Sequence, residues 1–360
     1  MTPPIAPDVP GAAGDTPEGL HSFLGTAPPP PNSTLAKALN TALRSAMEDD
    51  PKVIVMGEDV GKLGGVFRVT DGLQKDFGDH RVLDTPLAES GIIGTAVGLA
   101  MRGYRPVTEI QFDGFVFPGF DQIVSQVAKI TYRTQGAWSM PMVIRIPFGG
   151  GIGAVEHHAE APESFFCHIG GLRVVACSTP QDAFDMLRAA IACDDPVVFF
   201  EPKRRYWEKG SLDTGSRHAP PGQWPPASFR SIVRRPGSDA TVVSYGPSMP
   251  ILMAAADAAA AEGTSLEIID LRTLSPLDLD PVLESVRRTG RLVVVSEAPR
   301  EASITADIAA RVTEEAFYSL AAPVIRVAGF DTPYPPSRLE DEYLPDLDKV
   351  LDAVDRVLAY

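Results

Sequence analysis

Cysteine is scarce in this 360-residue chain. Cys167, Cys177 and Cys193 form no Cys-x-x-Cys pair and no metal-ligand spacing, which points to free buried thiols in a reducing compartment and not to a disulfide framework. Long apolar runs are missing as well. No stretch reaches the ~20 apolar residues of a membrane span, and the alanine-rich run from Ile251 to Glu262 is short and broken by Asp257. The N-terminus has neither the basic start nor the apolar centre of a secretory signal. It holds no arginine before Arg44, so a transit peptide is not read and a cytoplasmic protein is expected. Positive charge is in deficit: 32 Lys and Arg against 47 Asp and Glu give a net charge of -15. That balance argues against nucleic acid or an anionic membrane as the main partner. Gly-x-Ser-x-Gly, Walker and His-Glu-x-x-His motifs are also absent.

What is present alternates strand and helix patterns. Residues 1–33 are rich in proline and small residues, ending in Pro28-Pro29-Pro30-Pro31, and read as a disordered arm. Ser33 or Thr34 then caps a helix with the stripe Leu35, Leu39, Leu43 and Met47. Strands are predicted at Val53–Met56, Val107–Ile110, Met142–Ile146, Val174–Ala176 and Val197–Phe200, with helices at Asp121–Tyr132 and Pro180–Ala192. A polar, proline-rich segment at 207–236 reads as a linker. A second alternating unit follows, with strands at Thr241–Tyr245, Leu266–Leu271, Leu292–Ser296 and Val324–Val327, and helices at Met249–Glu262, Asp280–Arg288 and Ser303–Tyr318. The expected fold class is α/β, with two doubly wound domains and largely parallel sheets at 34–206 and 237–360.

The most informative stretch is Val82–Gly103. Gly91, Gly94 and Gly98 fall near one helical face, and each glycine costs a helix about 1 kcal/mol relative to alanine. Something is therefore expected to approach that backbone closely. Glu89 heads the run, either as a first-turn acid complementing the helix dipole or as a carboxyl in an apolar pocket with a raised pKa. Glu58 leaves the carboxyl end of the first strand, where ligands sit in open α/β sheets. Phe112, Phe115, Phe117 and Phe120 are either core or an aromatic wall against a flat ring. His157 and His158 are a surface pair or include one that serves a substrate as hydrogen-bond or proton donor; no third ligand makes them a metal site. Gly149-x-Gly151-x-x-Ala154 resembles a dinucleotide fingerprint, but no long helix and no ribose-binding acid follow. It reads as a glycine loop turning beneath a ligand.

Long co-linear motifs then identify a family. MGEDVG (from Met56), GVFRVTDGL, RVLDTPLAESGIIGTAVGLAMRGYRPVTEIQF, FPGFDQI, HHAEAPESFFCHIGGLRVV, DPVVFFEPKRRY and IIDLRTLSPLD resemble the β subunit of the E1 component of 2-oxo acid dehydrogenase complexes, most closely the branched-chain member. The resemblance covers residue 34 to the C-terminus and implies a pyrimidine-binding domain followed by a transketolase-type C-terminal domain. It implies that Glu89 bonds N1′ of the thiamine diphosphate aminopyrimidine, so that the 4′-nitrogen takes the proton from thiazolium C2. Phe115 falls where the family packs an aromatic on the pyrimidine, a tyrosine in branched-chain relatives. His158 falls on the histidine that assists reductive acylation of the lipoyl group, and Glu58 on an acid of the water path between two active sites.

The family's diphosphate and magnesium site, a Gly-Asp-Gly followed some way on by an Asn pair, is missing here. The resemblance accounts for this: the α subunit holds the diphosphate and Mg2+, and the chain is active only in an α2β2 heterotetramer. Relatives carry a monovalent cation, so K+ stays open. Docking on an E2 acyltransferase core is implied, with Glu340, Asp341, Glu342, Asp346 and Asp348 as a surface for its basic binding domain. Ala159-Glu160 departs from the family's Ser-Gln and is expected to retune His158. Branched-chain 2-oxo acids are the expected substrates, with pyruvate or acetoin as alternatives. A non-catalytic assembly subunit is the reading from a different class. A single-chain transketolase is disfavoured, because 360 residues leave no room for a diphosphate domain.

Overall fold

The computed structural model describes residues 32–215 and 227–360. Most of the expected arm, and positions 216–226 of the expected linker, lie outside them. The first half runs β1 (Asn32–Thr34), α1 (Leu35–Asp49), β2 (Val53–Gly57), α2 (Leu73–Phe77), β3 (Val82–Asp84), α3 (Glu89–Met101), β4 (Arg105–Glu109), α4 (Phe120–Gln122), α5 (Ile130–Arg133), β5 (Val143–Phe148), α6 (Glu163–Cys167), β6 (Arg173–Ala176), α7 (Pro180–Ala192), β7 (Val197–Pro202) and β8 (Lys209–Ser211). The second half runs β9 (Ile232–Arg235), β10 (Ala240–Ser244), α8 (Met249–Ala261), β11 (Leu266–Asp270), β12 (Thr273–Ser275), α9 (Asp280–Thr289), β13 (Leu292–Pro299), α10 (Ile304–Ala316), β14 (Ile325–Gly329), α11 (Glu340–Tyr343) and α12 (Leu347–Leu358).

A seven-stranded sheet has the order β12-β6-β7-β5-β4-β2-β3, and a five-stranded sheet the order β14-β13-β10-β11-β9. Both are parallel except at one strand each, β12 against β6 and β9 against β11. The fold is α/β, as expected. Its central strands are buried on both faces and read as continuous apolar runs.

Thr34 Oγ1 caps α1 by accepting the Lys37 N–H at 3.2 Å, and Leu35, Leu39, Leu43 and Met47 are all buried against the sheet and α7. Each such side chain contributes about 1.5–3 kcal/mol by burial. The opposite face of the sheet shares one apolar cluster with the second sheet, from Phe148 and Phe200 to Val243, Ile269 and Val294. The cluster and β12, which comes from the second half but pairs with β6, stitch the halves together.

Three local expectations differ from what is observed. The helix predicted over Asp121–Tyr132 is interrupted by a π-helical turn at Ile123–Val127, with the Ala128 N–H reaching back to Ile123 O at 3.0 Å. Within the expected linker, Lys209–Ser211 pairs with Asn32–Thr34 and Ile232–Arg235 forms β9. The predicted arm ends earlier for the same reason, since its last residues are β1.

Arg145 on β5 is wholly buried and forks onto Glu201 at 2.7 and 2.8 Å, with Glu109 at 2.6 Å. Burial opposes its charge, but Glu201 and Glu109 outweigh that and hold the guanidinium above its usual value.

At the junction of the halves, Glu163 opens α6 fully buried. The Tyr245 hydroxyl donates to its Oε1, Ser296 Oγ lies 2.9 Å from that hydroxyl, and Glu163 Oε2 has no partner. Burial pushes this carboxyl up to about 7, and an unpartnered buried oxygen is tolerated far better protonated than charged. A folded-state pKa above the unfolded 4.5 means that the native form binds the extra proton. This group's contribution is therefore full below about 4.5 and lost as pH rises through about 7. Relative to Glu163→Gln, the wild type is expected to lose denaturant stability steadily between those two values and to run parallel above them. Parallel curves across the whole window would refute the assignment.

Candidate active site

Four positions singled out from sequence converge on the carboxyl ends of the first sheet's strands. Glu58 follows β2 and Glu89 begins α3, and each is only 7% exposed. Ile92, Ile93, Ala96, Val97 and Ala100 turn α3 into the core. Gly91, Gly94 and Gly98 face outward, and a Cβ at Gly94 or Gly98 would meet nothing within 4 Å. The close approach expected at these glycines is not made within the described chain.

The Glu89 carboxylate takes no hydrogen bond from the described residues, and Glu58 Oε1 is buried without a partner. Burial first, then the nearby Glu89 charge, then Asp59, push the Glu58 carboxyl up.

The segment after β4 forms a 3-10 turn, Asp113–Gly119, that carries the aromatic residues. Its end packs on the head of α3: a Cβ at Gly119 would stand 3.2 Å from the Glu89 carbonyl. Phe115 meets the His158 ring edge-on at 5.0 Å, and Phe112 stacks on His158 at 4.0 Å and 15°. His158 Nδ1 is buried without a partner, while His157 is half exposed beside Glu156. His158 lies within the aromatic cluster and His157 at its rim, its ring 4.3 Å from His158 and 6.0 Å from Phe115. Among the described residues no group of three or more His, Cys, Asp or Glu is placed to hold a metal ion.

Asp113 and Lys203 escaped the sequence reading. They form a wholly buried ion pair beneath Phe112, with Lys203 Nζ 5.7 Å from that ring centre. Asp113 Oδ2 also accepts the Glu160 N–H at 2.8 Å, tying the histidine loop to the aromatic turn. Burial acts against both charges, pushing Asp113 up and Lys203 down. The one signal in the sequence was a lysine straight after an apolar strand, in FFEPK.

Glu160 is half-buried, and burial followed by Asp113 raises its carboxyl; Ala159 packs against Tyr334, Tyr343 and Leu344. The glycine loop, expected to turn beneath a ligand, is instead covered by acids of the second half. Gly150 donates to Glu297 at 3.1 Å, and Gly151 and Gly153 donate to Glu340 at 2.8 and 2.9 Å. Glu340 is accordingly buried and does not belong to an acidic surface, whereas Asp346 caps α12 through the Lys349 N–H at 2.8 Å while its side chain stays half exposed.

Residues 32–208 match the transketolase pyrimidine binding domain, and residues 230–350 the transketolase C-terminal domain. The chain is 61% identical over 326 residues to the pyruvate dehydrogenase E1 component subunit beta of Leifsonia xyli subsp. xyli, spanning 91% of this chain and 95% of the relative. It is 54% identical over 326 residues to the 3-methyl-2-oxobutanoate dehydrogenase subunit beta of Mycobacterium tuberculosis (strain ATCC 25618 / H37Rv), spanning 90% and 92%. A split-gene transketolase, solved as an inactive beta4 tetramer, superposes with a TM-score of 0.74 at 21% identity, over 91% of this chain and 98% of that one. That likeness shows the fold. No helix among the described residues is long and apolar enough to cross a membrane.

Removing one partner of a buried ion pair strands the other charge. Lys203→Met is expected to destabilise the protein by about 3–5 kcal/mol in denaturant titration. The double change Asp113→Asn with Lys203→Met should recover some of that loss. A single variant as stable as wild type would show that the pair does not hold the turn.

Proposed function

Because the chain belongs to the E1 β subunits of 2-oxo acid dehydrogenases, we propose that, with an α subunit, it decarboxylates a branched-chain 2-oxo acid oxidatively and acylates the lipoyl group of an E2 acyltransferase. The observation that carries this reading is the pair Glu58 and Glu89, buried and short of hydrogen bonds, beside the Phe115–His158 cluster.

These residues fit the pyrimidine end of thiamine diphosphate. Glu58 Oε1 is an orphaned acceptor and Glu89 an unclaimed one, while an aromatic ring offers a face to a flat heterocycle. When bound, that cofactor supplies a carbon nucleophile for the oxo group and an electron sink for the loss of CO2. Glu89 would hold the proton at the ring's N1′, and Glu58, with its raised pKa, would exchange a proton with Glu89. Phe115 would exclude water from one face of the ring. His158, its Nδ1 free and its ring fixed between two phenylalanines, would pass a proton to or from the incoming lipoyl sulfur. Diphosphate and Mg2+ fall to the α subunit, since this chain has no motif for them. The bare glycine face of α3, with Leu87 beside it 80% exposed, suits the α2β2 partner. K+ is left unassigned, and the E2 docking surface falls to acids other than the buried Glu340.

The branched-chain assignment is supported by the Mycobacterium relative, and the Leifsonia relative favours pyruvate as a second reading. A methylene in an apolar pocket is worth only about 1–3 kcal/mol, so the discrimination should be measurable but finite. The heterotetramer, with thiamine diphosphate and Mg2+, is expected to reduce an artificial electron acceptor faster with 3-methyl-2-oxobutanoate than with pyruvate. Glu89→Gln should lower kcat by about 10²–10⁴-fold with assembly intact. Preference for pyruvate would select the second reading. No turnover with any 2-oxo acid, acetoin included, would leave an assembly subunit.

A further inference from the structure

The segment between β5 and α6 is a compact Ω-loop, closed by the Gly149 N–H donating to the Glu160 carbonyl at 2.9 Å. His158 rides on it. One flank is tied to the aromatic turn through Asp113. The other is almost free of side chains, and the second half of the chain lies directly against its backbone. A Cβ at Gly150 would stand 1.9 Å from Tyr334 Oη, and Gly151 has φ +84°, a conformation L side chains rarely adopt.

Two carboxylates point into that flank: Glu297 Oε2 accepts the Gly150 N–H at 3.1 Å, and Glu340 spans the next two amides. Glu340 Oε1 accepts the Gly151 N–H at 2.8 Å and the Tyr334 hydroxyl at 2.5 Å, and its Oε2 accepts the Gly153 N–H at 2.9 Å. Ala159, next to His158, packs on Tyr334, Tyr343 and Leu344 from the same C-terminal segment. On the other side the aromatic turn lies close, a Cβ at Gly114 standing 2.4 Å from the His157 carbonyl. A cavity of about 220 Å³ lies behind the loop, bordered by Glu160, Pro162, Glu297 and Tyr334.

We propose that Glu340, from the C-terminal half, is a positioning residue for His158: by spanning the amides of Gly151 and Gly153 it sets the loop that seats the imidazole between Phe112 and Phe115. The inference rests on the role given to His158 above. A carboxylate is the suitable group, because it accepts three donors on two oxygens. A glutamine in its place turns an NH2 group toward at least one of those N–H groups and loses that bond.

The test uses the α2β2 enzyme and three readouts: dye reduction with a 2-oxo acid, acylation of a lipoyl domain, and amide hydrogen exchange over residues 149–160. Glu340→Gln should lower lipoyl acylation by about 10- to 100-fold, and by distinctly more than it lowers dye reduction. Exchange should quicken in the loop while β5 and β7 stay protected. Tyr334→Phe should shift both in the same direction but less. The double variant Glu340→Gln with His158→Ala should acylate no more slowly than His158→Ala alone, since a positioning residue has nothing left to position. Multiplicative losses in the double variant, or equal losses in both reactions, would overturn the proposal. So would loop exchange unchanged from wild type. If wild type turns over no 2-oxo acid, the function assigned above falls instead, and exchange still decides whether Glu340 holds the loop.

Discussion

The site hangs on the buried ion pair of Asp113 and Lys203. It joins the start of the aromatic turn to the end of β7, and through the Glu160 amide it also secures the histidine loop. Neither charge has water to turn to, so each holds the other in place. Phe112 lies over the lysine and His158 over Phe112, so a stack built from three separate segments begins at one ammonium group. Deeper in the sheet, Arg145 has the corresponding role, clamping β4, β5 and β7 through Glu109 and Glu201.

These two clusters divide the work. The arginine cluster fixes strand spacing where the sheet delivers its carboxyl ends, and the lysine pair fixes the loops that leave those ends. Glu58 and Glu89 stand just beyond both, short of partners, with the 3-10 turn packed on the head of α3.

Much of this was legible in the sequence because it is local. The α1 stripe, the apolar strands and the glycine run with Glu89 at its head repeat with periods a single segment reveals. What escaped depends on residues distant in the chain. Lys203 lies 90 positions from Asp113, and Glu340 lies 189 from Gly151. β9 and β12 are three or four residues long and owe their conformation to the strands they join. The π-helical turn at Ile123–Val127 shares its residues with an ordinary helical pattern, and only tertiary packing distinguishes it. α12 is the instructive omission. Its buried Val350, Ala353, Val354 and Val357 follow helical spacing, yet the acids before it drew the reading toward a surface.

The placement of β12 bears on how this chain can be divided. A fragment ending in the proline-rich segment near residue 216 would carry a sheet whose β6, still paired to β7, had lost its outer neighbour and presented bare N–H and C=O groups to any other extended chain. The complementary fragment would carry Thr273–Ser275 with no strand to join. Recombination between homologous chains meets the same constraint: a crossover in that segment joins a sheet to a foreign bounding strand.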